Sequence, residues 1–176
     1  MADGEVREMT RRILHVDYSL CIGCETCEGV CDFIHGGRPN IKVYYTITGI
    51  PVPINCRHCE KAPCMDVCPA GAIYRDSDGA VIINPNKCIG CLMCLAACPF
   101  GVPTFDVKLK AVTKCDMCAD RRRLGTAPAC AEMCPAGAIF FGKPEEVEEK
   151  VRRRTAEKIA RERLAAVNLE GVGRML

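Results

Sequence analysis

Sixteen cysteines stand in this 176-residue chain as four groups of four, and their spacing leaves few folds open. Cys21, Cys24, Cys27 and Cys31 follow C-x2-C-x2-C-x3-C; Cys88, Cys91, Cys94 and Cys98 repeat it and add Pro99. Cys56, Cys59, Cys64 and Cys68 widen one gap to four residues and precede Pro69. Cys115, Cys118, Cys130 and Cys134 widen the same gap to eleven and precede Pro135. Two-residue gaps let a short loop wrap three thiolates around three corners of one iron-sulfur cube, while the fourth cysteine, carried on by a turn of helix, points away. In two-cluster ferredoxins that fourth cysteine ligates the other cluster, so such runs work in pairs. The proline after it cannot continue a helix as a hydrogen-bonded interior residue, and it turns the chain. The expectation is four [4Fe-4S] clusters, with all sixteen cysteines binding iron.

Competing chemistries fit the spacing less well. Zinc in all-cysteine sites uses pairs of C-x2-C knuckles and needs neither a third cysteine two residues on nor a fourth followed by proline. A structural zinc protein is therefore the remote alternative. A disulfide scaffold needs an oxidising compartment, and the first thirty residues hold no apolar stretch of signal-peptide length. Catalytic cysteine chemistry needs a nearby base, and His15, His35 and His58 form no constellation with a carboxylate. No residue is assigned a catalytic role.

Composition agrees with a cluster-filled interior. Aromatic residues make up 5% of the chain and tryptophan is absent, so large side chains are too few to fill a core unaided. A net charge of +2 argues against a nucleic-acid partner. No window approaches the roughly 20 apolar residues of a membrane span. Thr10, Arg11, Arg12, Ile13 and Leu14 superficially resemble a twin-arginine export signal, but His15, Val16, Asp17 and Tyr18 lead straight to the first cysteine. The chain reads as soluble and cytoplasmic.

The runs are also an internal duplication. Cys21 to Cys31 map onto Cys88 to Cys98 with a shift of 67, and Cys64 and Cys68 onto Cys130 and Cys134 with a shift of 66. The word Cys-Ile-Gly-Cys occurs at 21 and 88, and Cys-Pro-Ala-Gly-Ala-Ile at 68 and 134. The repeats are about 17–83 and 84–142, with a seven-residue insertion within 119–129. Short strands are expected at 12–16, 41–46, 52–54, 73–74 with 80–83, 104–107 with 111–114, and 139–141. Single helical turns are expected at 25–30, 65–67, 92–97 and 131–133. The class is α+β: small hairpins and short helices in one compact domain over 12–143. A charged helix follows over 144–167, opened by Pro144 and four glutamates, with tails at 1–11 and 168–176. It reads as a solvated helix laid along the domain or as a docking arm for a partner.

Beyond spacing, three stretches resemble a known family: Asn55-Cys56-Arg57-His58-Cys59, Pro63-Cys64, and Lys114-Cys115-Asp116-Met117-Cys118-Ala119-Asp120-Arg121. They are similar to words of the four-cluster, ferredoxin-like electron-transfer subunits of the dimethyl sulfoxide reductase type. The resemblance spans about Arg12 to Lys143; Asp32 stands after the first run, where that family also usually lacks proline. It implies a pairing of the first run with the fourth and the second with the third. One cluster would take Cys21, Cys24, Cys27 and Cys134, and its companion Cys115, Cys118, Cys130 and Cys31. The other pair would be Cys56, Cys59, Cys64 with Cys98, and Cys88, Cys91, Cys94 with Cys68. Each pair is then one ferredoxin-like module.

The resemblance further implies an electron-transfer subunit that is not catalytic alone. Its partner would be a molybdenum or tungsten pterin enzyme, such as a formate dehydrogenase or aldehyde oxidoreductase, or a hydrogenase, with a second redox carrier or subunit beyond. The alternative is a free-standing polyferredoxin shuttling electrons between enzymes. Arg57 and Lys61 read as cations pointing to water or favouring a reduced cluster, and His58 as a candidate for a cluster edge. Arg121, Arg122 and Arg123 read as a solvated face or as a contact for an acidic partner surface.

Overall fold

The computed structural model describes the backbone of residues 11–173 and the side chains of residues 11–165. In chain order the elements are β1 (Ile13–Val16), α1 (Thr26–Ile34), β2 (Ile41–Tyr45), β3 (Pro51–Asn55), α2 (Pro63–Asp66), β4 (Ile73–Arg75) and β5 (Val81–Ile83). They continue with α3 (Met93–Ala97), β6 (Thr104–Asp106), β7 (Ala111–Thr113), α4 (Ala119–Arg123), α5 (Ala129–Glu132), β8 (Ile139–Gly142) and α6 (Pro144–Gly173). The result is a small α+β body of short hairpins and helices with a C-terminal helix. Expected tail residues 1–10 and 174–176, Thr10 of the arginine motif among them, lie outside the described residues.

Three of the four strand pairs are local hairpins, β2–β3, β4–β5 and β6–β7, all antiparallel. β3 carries Pro51 and Pro53 at alternate positions, so their missing N–H groups fall on the outer edge of a two-stranded ribbon, where no ladder bond is lost. The fourth pair is not local: β1 joins β8, Ile13 opposite Gly142 and Val16 opposite Ile139, and so closes the body end to end. Arg11 and Arg12 lead into that strand. The Arg12 amide donates to Asp78 O at 3.1 Å, and its guanidinium lies 5.7 Å from the Phe141 ring centre. The arginine pair is thus part of the folded body.

The duplication is visible in small details. A 3₁₀ turn precedes the first run at Tyr18–Leu20 and the third at Pro85–Lys87. Asp17 Oδ1 accepts from Ser19 N and Asn84 Oδ1 from Asn86 N, each at 3.0 Å. Helix α1 packs on α5, and α2 on α3, so the helix of the first run meets that of the fourth and the helix of the second run that of the third. Two apolar clusters go with these contacts. One joins Leu14, Val16, Ile41, Met117 and Ile139 to Cys27, Cys31 and Cys130; the other joins Ala62, Ile73, Val81 and Val112 to Cys94. Among the described residues Phe140 is the one buried phenylalanine or tyrosine.

Several expectations are corrected. Helix α1 extends past residue 30 to Ile34, because no breaker intervenes before Gly36 and Gly37, both at positive φ. The inserted segment folds as α4, an element the cysteine pattern did not announce. The final helix runs beyond 167 to Gly173, since no proline interrupts it. It is anchored at its start: Val147 is buried, Arg154 lies 4.5 Å from the Phe140 ring centre, and Arg154 Nη1 donates to Gly137 O at 3.0 Å. From Thr155 to Ala165 every residue is exposed, so the helix does not lie along the domain there.

The arginine run is the largest correction. Arg122 is 5% exposed, and its guanidinium bridges Asp76, at 2.5 Å, and Asp78, both in the β4–β5 turn of the other repeat. Its Nε donates to Met117 O at 2.9 Å. Arg121 donates to Ala127 O at 2.9 Å and pairs with Glu132, bracing the insertion from within. Only Arg123, beside Asp120, is an exposed member of the run. The acidic turn that neutralises Arg122 is 44 and 46 residues away along the chain, which is why the run looks solvated in one dimension.

Candidate metal centres

Each tight run begins with a loop that must curl sharply. In both Cys-Ile-Gly-Cys words the glycine sits at positive φ, +71° at Gly23 and +69° at Gly90. A Cβ on Gly23 would stand 3.0 Å from Tyr45 Oη and 3.1 Å from Pro51 Cβ, so the loop has neither the conformation nor the space for a side chain. Glu25 and Leu92 follow in the left-handed region and start the helices that carry Cys27 and Cys94. In the widened runs His58 and Met117, each just before the second cysteine, are also left-handed. With Cys118 itself, five non-glycine residues held there mark loops shaped around something other than their own side chains.

The sulfurs gather across runs. Cys21, Cys24 and Cys27 share a pocket with Cys134, walled by Ile22, Val43, Pro53 and Ile139. Cys56, Cys59 and Cys64 share one with Cys98, walled by Val81, Phe100, Arg57 and Lys114. Cys88, Cys91 and Cys94 share one with Cys68, walled by Ile73, Ile83 and Val112. In the fourth group Cys130 has Cys118 and Cys31 as electrostatic neighbours, and Cys115 has Cys130 and Cys56. No pair of the sixteen is joined as a disulfide.

Backbone N–H groups point at several of these sulfurs. Ala72 N to Cys68 Sγ and Ala138 N to Cys134 Sγ are both 3.3 Å, equivalent bonds in the two repeats. His58 N reaches Cys56 Sγ at 3.4 Å and Met117 N reaches Cys115 Sγ at 3.3 Å. Asn40 N meets Cys31 Sγ at 3.2 Å, and Val112 N meets Cys88 Sγ at 3.4 Å. Such donors stabilise negative charge on sulfur. Burial works the other way on the free thiols: desolvation pushes Cys27 up to about 11 and Cys115 and Cys130 well upward. Thiols so buried favour the protonated form unless a metal displaces the proton, so the donor set suits a bound metal and not a bare thiolate. Cys24, at an exposed edge, is instead lowered by the Thr26 hydroxyl and amide.

The flanking residues divide. Arg57 is half-buried in the wall of the second pocket, its guanidinium 5.4 Å from the Tyr18 ring centre and 5.8 Å from that of Phe100. Lys61 is exposed. His58 gives its amide to Cys56 Sγ, but its ring is taken by β5: Nδ1 accepts from Val81 N at 3.1 Å. Desolvation lowers its pKa to about 3, so the imidazole is neutral, and Nε2 has no partner among the described residues. His35 Nε2 lies 3.8 Å from Asp116 Oδ1, and both sit close to Cys118.

One residue that the sequence placed only in a family word and at a strand end proves to be part of the site. Lys114 is 7% exposed and forms part of the wall of the second pocket. Its alternation with buried Val112 was the available signal: two residues on from a core-facing strand position, it faces the core.

Thiol-lined pockets filled from two runs each, amide donors on sulfur and an interior nearly free of aromatics define an iron-sulfur protein. The chain is a member of the family described as the 4Fe-4S dicluster domain, whose model matches residues 47–144. It is 39% identical over 149 residues to the thiosulfate reductase electron transfer subunit PhsB of Salmonella typhi, covering 77% of each protein. It is 35% identical over 153 residues to one of the subunits of the anaerobic dimethyl sulfoxide reductase of Escherichia coli, covering 77% of this protein and 75% of that one. To the iron-sulfur subunit of the nitrate-inducible formate dehydrogenase of Escherichia coli it is 33% identical, over 90% of this protein and 64% of that one. The role these findings give it is electron transfer as a subunit of an oxidoreductase. No described helix is long and apolar enough to cross a membrane.

Proposed function

We propose that the chain holds four [4Fe-4S] clusters and serves as the electron-conducting subunit of a cytoplasmic molybdenum or tungsten oxidoreductase. The observation that carries this is the gathering of each tight or widened run with one cysteine of a distant run. The proposed ligand sets are Cys21, Cys24, Cys27 and Cys134; Cys115, Cys118, Cys130 and Cys31; Cys56, Cys59, Cys64 and Cys98; and Cys88, Cys91, Cys94 and Cys68. Residues 12–143 then form two ferredoxin-like modules, an outer one from the first and fourth runs and an inner one from the second and third. Support for two modules comes from the two apolar clusters and the α1–α5 and α2–α3 contacts.

A bound [4Fe-4S] cluster supplies one-electron chemistry with little rearrangement. The protein's part is to hold the sulfurs, exclude water with Val43, Val81, Val112 and Ile139, and tune charge through the amide donors. The named relatives are subunits of thiosulfate, dimethyl sulfoxide and formate enzymes, and a catalytic partner of that type follows for this chain. Anaerobic purification from the native host should give a complex in which a second, larger polypeptide carries molybdenum or tungsten. A stable monomer without a second polypeptide would mean a free polyferredoxin and overturn the subunit role; export of the chain would overturn the location.

A further inference from the structure

Lys114 has an unusual setting for an ammonium group. Its Nζ donates to Cys115 O at 3.1 Å and to Val81 O, and stands 3.7 Å from Cys56 Sγ. Among the described residues no carboxylate is in ion-pair range of it. Buried charges are ordinarily paired, because carbonyl dipoles alone compensate an ammonium poorly. What does lie within reach is ligand sulfur: Cys56 Sγ directly, with Cys64 lining the same pocket. Cys56 and Cys115, which the lysine touches by side chain and backbone, belong to different modules and are electrostatic neighbours.

We infer that Lys114 is the potential-setting residue at the junction of the two modules, raising the reduction potential of the cluster held by Cys56, Cys59, Cys64 and Cys98. This deepens, and rests on, the four-cluster reading. Cys56, Cys59, Cys64 and Cys98 would hold a cluster that takes up and gives back one electron, with no proton moved and no bond broken. Reduction would add negative charge beside the Lys114 ammonium, 3.7 Å from Cys56 Sγ, so the positive charge would favour the reduced form. Arg57 lines the same pocket but is half-exposed, and solvent screens it; Lys114 is within 4 Å of a ligand sulfur and shielded from water, where Coulombic attraction is several times stronger.

The test is potentiometric EPR on the full chain purified anaerobically, for the parent and for Lys114→Gln, Lys114→Met and Lys114→Arg. The signal of the second-run cluster is identified as the one that Cys59→Ser perturbs. Both neutral variants should keep the parent's iron and sulfide and lower that midpoint by at least tenfold in the reduction equilibrium, about 59 mV for one electron. Lys114→Arg should recover most of the shift, and the cluster of Cys68, Cys88, Cys91 and Cys94 should move far less. A midpoint unchanged or raised, an equal fall in all clusters, or an arginine variant as low as the neutral ones overturns the inference. So does loss of iron in both neutral variants, which makes the lysine structural. A parent without iron and sulfide fails at an earlier point: it overturns the four-cluster reading, and this inference with it.

Discussion

Cys27 and Cys31 stand one turn apart on α1 and keep different company. Cys27 has Cys134, Cys21 and Cys24 as electrostatic neighbours, whereas Cys31 has Cys118 and accepts from Asn40 N. If the fourth cysteine of each run serves a foreign cluster, Cys31→Ser should alter the EPR signal that Cys130→Ser also alters and leave the signal sensitive to Cys24→Ser intact. The reverse pattern would contradict the proposed pairing. Residue-scale features were unevenly legible in the sequence. Spacing picked out the cysteines that line the three shared pockets, because curling C-x2-C around a cube is a local requirement. The ring of His58 was not legible, since Val81 claims it from 23 residues away. Nor was Lys114, whose importance depends on two carbonyls and a sulfur brought together by tertiary packing.

At the scale of elements, the insertion is tied to the other repeat by Arg122. Its guanidinium is buried between Asp76 and Asp78, while those carboxylates remain partly exposed, so removing it strands two acidic groups in a partly dry turn. Arg122→Ala should therefore destabilise the folded chain by about 3 kcal/mol, toward the low end for a broken buried ion pair. The expected readout is a lower midpoint for thermal bleaching of the visible iron-sulfur absorption; an unchanged midpoint would show the bridge to be dispensable. The hairpins were readable because each pairs with its sequence neighbour, and β4–β5 even displays its turn, where Asp76 Oδ1 accepts from Asp78 N at 3.0 Å and Ala80 N at 2.8 Å. The β1–β8 pair and α4 were not readable. The first joins segments more than a hundred residues apart, and the second lies in the insertion, which has no counterpart in the other repeat.

The whole molecule follows from one shortage, that of large side chains. With Phe140 as the one buried phenylalanine or tyrosine among the described residues, the two apolar clusters are built from aliphatic side chains, Met117 and the cysteines themselves. Each cluster of side chains packs with cysteines from two distant runs, so under the proposed ligand sets binding iron and folding are coupled. Under the proposed pairing the repeats are interleaved: a half cut at residue 83 would lack Cys134, Cys98 and the partners of Cys31 and Cys68. The most direct test of the central claim is quantitation of iron, acid-labile sulfide and zinc in the anaerobically purified full chain, alongside its visible spectrum. Four cubanes require about sixteen iron and about sixteen sulfide per chain with broad absorption near roughly 400 nm. Stoichiometric zinc, no sulfide and no such absorption would contradict it.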